Sequence, residues 1–159
     1  MRILLGLLGF LTFVYSVHET FAAEGSYVSQ QGAWIRNKAE SKIPPDSFTP
    51  LDQPMVVMQD DGKQLKFVVF AMTSTGLQPD ITYDGAYDGQ PYTYGKDGTK
   101  SYTHLSANSF RTDWKSVNGS TASEVVTINA NATKMRIEGK RTDPDGKTYE
   151  YVQVWDRME

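Results

Sequence analysis

The chain contains no cysteine. Disulfides, thiolate metal centres and cysteine nucleophiles are therefore excluded. So is a lipid anchor of the bacterial lipoprotein type, which needs a cysteine beside the cleavage site. Histidine is almost as scarce, with only His18 and His104 present. Past the N-terminal stretch a Ser-His-Asp arrangement would have His104 as its sole base, and histidine-rich metal sites are excluded. His104 falls beside Tyr102 on an expected strand and reads as structural. Excess positive charge is missing too: 16 Lys and Arg stand against 19 Asp and Glu, a net charge of −3. Neither nucleic acid nor an anionic membrane is indicated as a partner. Helical periodicity is nearly absent beyond the first residues, so there is no helix for a glycine-rich phosphate cradle to open. Long apolar runs are limited to one, Ile3 to Val17, and its 15 residues fall short of the roughly 20 that span a bilayer.

That single run has a different use. Arg2 precedes it, and Thr20, Phe21 and Ala22 follow as a small-x-small site, the three parts of a secretory signal. Residues 1–22 are expected to be removed, leaving a mature chain of residues 23–159 with no membrane span, exported to the periplasm or secreted. Its length suits one domain with a substantial core. Without disulfides, packing and backbone hydrogen bonds must hold that core.

Period-2 alternation recurs along the mature chain. Ile81, Tyr83, Gly85 and Tyr87 share one face against Thr82, Asp84, Ala86 and Asp88. Phe110, Thr112 and Trp114 alternate with Arg111, Asp113 and Lys115, and Met135, Ile137 and Gly139 alternate with charged neighbours. Asp61-Gly62, Asp88-Gly89, Asp97-Gly98, Asn118-Gly119 and Asp145-Gly146 punctuate these runs with dipeptides suited to tight hairpin turns. The pattern predicts strands near 32–36, 54–59, 64–72, 81–87, 91–94, 101–105, 109–116, 122–129, 133–141 and 147–155. One helical turn capped by Asn37 is expected before Pro44. The fold class is all-β: an antiparallel up-and-down barrel of eight to ten strands, which leaves no exposed sheet edge, with a two-sheet sandwich as the alternative. The strands at 64–72 and 147–155 are apolar on both faces, so the loop between Lys42 and Gln53 is expected to cover part of the outside.

Three stretches resemble a family of small exported bacterial proteins described as lipocalin-like. Gly32 to Lys42 (GAWIRNKAESK) is similar to the family's opening G-x-W-x-x-N-x-x-x-S-K, Tyr87 to Tyr92 (YDGQPY) to its central hairpin, and Thr142 to Lys147 (TDPDGK) with Val154 and Trp155 to its closing hairpin and last strand. The resemblance implies an antiparallel barrel and, by analogy with lipocalins, a ligand cavity; a shared fold does not by itself carry function. It also implies that Trp34 closes the barrel floor beneath a basic residue from a late strand, with Arg141 or Arg157 in that place, although Trp34 would be a core residue in any case. Arg36, two positions on, is expected to carry its polar end to solvent.

Chemistry-bearing motifs are few. Asp143-Pro144-Asp145-Gly146 opens like a calcium loop but lacks the later acidic ligands and reads as a turn. Asp80, Asp84 and Asp88 share parity and read as a solvated row on one strand face. Two glycosylation sequons, at Asn118 and Asn131, fit ordinary turns. No spacing singles out a carboxylate pair for glycoside chemistry. Tyrosine is the feature with a functional leaning, because a ring with a polar tip suits a cavity for an amphipathic ligand, although tyrosine is equally a good strand residue. Strand parity nominates Phe67, Val69, Tyr83, Tyr87, Phe110, Trp114, Tyr149 and Tyr151 as cavity lining. The expectation is a binding protein enclosing a small, mainly apolar or amphipathic ligand with no cofactor or metal. An envelope structural or interaction protein with a filled barrel, and a metal-free enzyme, are the alternatives.

Overall fold

The computed structural model describes residues 27–44, 53–96 and 98–159. The expected leader, the middle of the loop between Lys42 and Gln53, and Asp97 lie outside the described residues. Among the described residues ten strands follow in chain order: β1 (Gly32–Arg36), β2 (Pro54–Asp60), β3 (Gln64–Thr73), β4 (Gly76–Ala86), β5 (Tyr92–Tyr94), β6 (Gly98–Ser106), β7 (Ser109–Ser116), β8 (Thr121–Ile128), β9 (Lys134–Thr142) and β10 (Thr148–Arg157). Each pairs antiparallel with its sequence neighbours, and β1 pairs with β10 to close the sheet into a barrel. Closure excludes the sandwich.

The turn dipeptides act as their chemistry requires. Gly62, Gly89, Gly119 and Gly146 all have positive φ, which hairpin turns demand and which costs glycine nothing. The β5–β6 turn differs from expectation: Gly95 supplies the positive φ, while Gly98 is the first residue of β6, opposite Tyr94 and Ser116. Asn37 makes the expected single turn, its Oδ1 accepting the Glu40 amide at 3.0 Å and its carbonyl accepting the Ser41 amide at 3.1 Å.

Alternation decides which side chains face inward. β8 is the clearest case, with Ala122, Glu124, Val126 and Ile128 buried and the intervening residues exposed. On β4, Tyr83 is buried and Asp84 points out, paired with Lys66 at 2.8 Å. Asp80 breaks the expected acidic row. The ladder pairs Val69 with Ile81 and Phe70 with Pro79, so Asp80 is an extra residue in a bulge. Pro79 has no amide to give the ladder, and bulges are where a strand tolerates proline. Asp80 instead accepts Gln53 Nε2 at 3.1 Å, and Asp88 accepts the Tyr92 hydroxyl at 2.9 Å.

One barrel end is filled. Trp34, Leu65, Phe67, Tyr83, Tyr102, Phe110, Ile128 and Met135 belong to one core cluster, and burial of each of its Leu, Ile, Phe and Met side chains contributes about 1.5–3 kcal/mol. The segment 27–31 crosses beneath it. Buried Asp60 takes the Gln30 amide at 2.6 Å and the Tyr87 hydroxyl at 2.9 Å, and it also accepts the Tyr27 hydroxyl. His104 lies in this floor, stacked on Tyr87 with centroids 4.2 Å apart and bonded to the Gly62 carbonyl at 2.8 Å. Outside the barrel, residues 37–42 lie along β10, with the Asn37 amide on the Val154 carbonyl and Lys42 bridging Val152. That explains how Val154, on the outer face, is only 2% exposed.

Candidate functional site

Trp34 is fully buried, its indole N–H donating to the Gln30 carbonyl at 2.7 Å. The Arg157 guanidinium lies over its ring, Cζ 5.6 Å from the centroid, and reaches on to the carbonyls of Gln31 and Ala132. Gly32 permits this approach. A Cβ there would sit 2.8 Å from Arg157 Nη2, on a backbone with φ of +138°. Of the two arginines named for this place, Arg157 occupies it. Arg141 sits at the other end of the barrel, Cζ 5.6 Å from the Trp114 ring and Nε on Asp143 at 2.8 Å.

Above the floor the barrel holds a cavity of about 370 Å³. Its apolar wall includes Met55, Phe67, Val69, Ile81, Val126 and Ile137. Among the nominated residues Phe67, Val69, Phe110, Trp114 and Tyr151 line this space, as does Arg141. Tyr83, Tyr87 and Tyr149 do not. Tyr83 is buried below, stacked on Phe67 with centroids 5.3 Å apart and tilted against Tyr102 at 4.9 Å. Tyr87 packs against Phe110 at 5.6 Å and joins the Asp60 network. Tyr149 lies at the start of β10, with Lys147 Nζ 4.8 Å from its ring. All three have inward parity, but depth along the barrel places them elsewhere.

The polar lining is what sequence reasoning missed. Lys100 Nζ donates to Glu124 Oε2 at 2.6 Å, and both residues are buried. Glu124 also accepts the Thr112 hydroxyl at 2.8 Å and the Tyr151 hydroxyl at 2.6 Å. Burial disfavours the charged form of each, but their mutual attraction and hydrogen bonds outweigh it: Glu124 is held below the usual carboxylate range and Lys100 well above the usual amine range. Burial raises the phenol pKa of Tyr94, Tyr102 and Tyr151, so these rings stay neutral beside the pair. The signal for Glu124 was present, since it shares parity with Ala122, Val126 and Ile128.

Arg36 overturns an expectation. It is 7% exposed and faces the cavity, because it shares parity with Trp34 and the register sets it opposite Trp155. Its Cζ lies 4.9 Å from the Trp155 ring. Among the described residues its Nε and Nη1 have no hydrogen-bond partner. Burial lowers its pKa, opposed by Tyr94 and Glu124, and the guanidinium remains charged.

No protein-family model matches the chain, and comparison with curated proteins gives no match either.

Proposed function

We propose that this chain is an exported binding protein that encloses a small, mainly apolar ligand inside its barrel, in the periplasm or outside the cell. The observation that carries the reading is the 370 Å³ cavity. It falls within the size of small-molecule sites and combines an apolar wall with a few convergent polar groups. Kinship with the lipocalin-like exported proteins belongs to the same proposal and draws support from the Gly32, Trp34 and Arg157 arrangement. The structural alternative draws on the floor, where buried aromatic rings pack above the segment 27–31.

Two measurements test the proposal. Native mass spectrometry of protein purified from its own host should show a co-purifying small molecule. Titration with a neutral hydrophobic dye should change Trp114 and Trp155 emission, since both rings line the cavity. Val126→Trp should fill that space and abolish the dye response while the melting transition persists. Wild-type protein that carries no ligand and takes up no dye would leave the filled-barrel alternative standing.

A further inference from the structure

Among the described residues, charge inside the cavity does not balance. Four of their ionisable lysine, arginine or glutamate side chains line it: Arg36, Lys100, Glu124 and Arg141. Glu124 is committed to Lys100, Thr112 and Tyr151, and Arg141 is matched by Asp143. Among the described residues one positive charge remains, on Arg36. Trp155 offers it a ring face, but two of its nitrogens have no acceptor among the described residues. A buried cation in that state is costly, and buried charges are ordinarily paired. An anion entering the cavity would supply the missing acceptor through charge-assisted hydrogen bonds.

We propose that the ligand is an amphipathic monoanion whose carboxylate pairs with Arg36 while its apolar body lies against Met55, Phe67, Val69 and Ile137. This rests on the binding reading above. A single negative charge fits the single uncompensated positive one. A dianion such as a phosphate monoester would leave a new excess beside Glu124. Size follows from volume: at about 30 Å³ for each water-sized group, 370 Å³ holds about 12 non-hydrogen atoms. That corresponds to a medium-length chain, about ten carbons with its carboxylate.

The test is displacement of a neutral dye, N-phenyl-1-naphthylamine, from the delipidated mature protein, residues 23–159, by decanoate, decanol and decyltrimethylammonium at neutral pH. Decanoate is expected to displace dye at concentrations at least tenfold below decanol, with the cation weakest, and to outcompete hexadecanoate. In Arg36→Met, dye and decanol binding should persist while the advantage of decanoate falls to about onefold; Arg36→Lys should restore part of it. Equal affinity of decanoate and decanol in the wild type would overturn the anion assignment, and so would a decanoate preference that survives in Arg36→Met. Either result, with dye still bound, would leave the cavity reading standing. Failure of the wild type to bind the dye or any of the competitors would overturn both. Should Arg36→Met fail to fold, the headgroup comparison on wild-type protein decides alone.

Discussion

Replacing Glu124 by Gln keeps the shape of the side chain and removes its charge. With its oxygen in the Oε1 place the amide still accepts from Tyr151 but sets its NH₂ against Lys100 and Thr112, donor against donor. With its oxygen in the Oε2 place it accepts from Lys100 and Thr112 without the charge and sets its NH₂ against the Tyr151 hydroxyl. Lys100, 8% exposed, then becomes a buried ammonium without a carboxylate. Removing one partner of a buried pair costs about 3–5 kcal/mol. With an unfolding entropy of about 2.1 cal/mol/K per residue over Tyr27 to Glu159, that lowers the melting temperature by about 11–18 °C.

The pH dependence adds a second signature. Glu124 has a depressed pKa in the fold, so its contribution is present above its unfolded value, about 4.3, and is lost as pH falls. Lys100 has a raised one, so its contribution is complete below about pH 10.4 and is lost as pH rises through the folded value. In Glu124→Gln the lysine loses its partner and burial depresses it instead. The unfolded chain then binds more protons, and the variant should regain stability as pH rises toward about 10. Urea denaturation at pH 5, 7 and 9.5 measures this. A loss under about 1 kcal/mol at pH 7, or a deficit that does not narrow at pH 9.5, would refute the reasoning.

Trp34→Ala should destabilise by about 3–5 kcal/mol, read by thermal melting; an unchanged melting temperature would remove Trp34 from the floor. Gly139→Ala places a Cβ 2.5 Å from Tyr151 Cζ and should cost about 1–3 kcal/mol by overpacking. Neutral stability there would mean the Tyr151 ring is not held over Gly139. In an ultraviolet alkaline titration, Tyr83, Tyr87, Tyr102 and Tyr151 should ionise only with unfolding, because burial raises all four. Their raised folded pKa values mean stability is full below about pH 10 and falls above it. Reversible ionisation of all the tyrosines near pH 10 in folded protein would contradict their burial.

Strand parity carried most of the architecture, because alternation and turn chemistry are both local. Val69 and Ile81 show where locality ends: the bulge at Asp80 follows from Pro79 meeting a particular partner strand. For the site, parity named the inward face correctly for Tyr83 and Tyr87. It held no information on depth, and Tyr87 is engaged from below by the segment 27–31, through Tyr27 and Gln30, while Tyr83 is packed against Phe67 and Tyr102. Arg36 was misread for a related reason. Its inward parity was visible beside Trp34, but a charged head on a short first strand looks free to reach water until the strand opposite closes over it.

That closure has a consequence for the order of folding. Arg36 and Trp155 face each other across the β1–β10 ladder, whose strands come from opposite ends of the sequence. Hairpins along the meander join neighbours, whereas this seam closes the longest loop and is entropically the most demanding to form. Arg36, Lys100 and Glu124 line one cavity that exists only when the barrel is closed, so full dehydration of these charges requires the seam and cannot precede it.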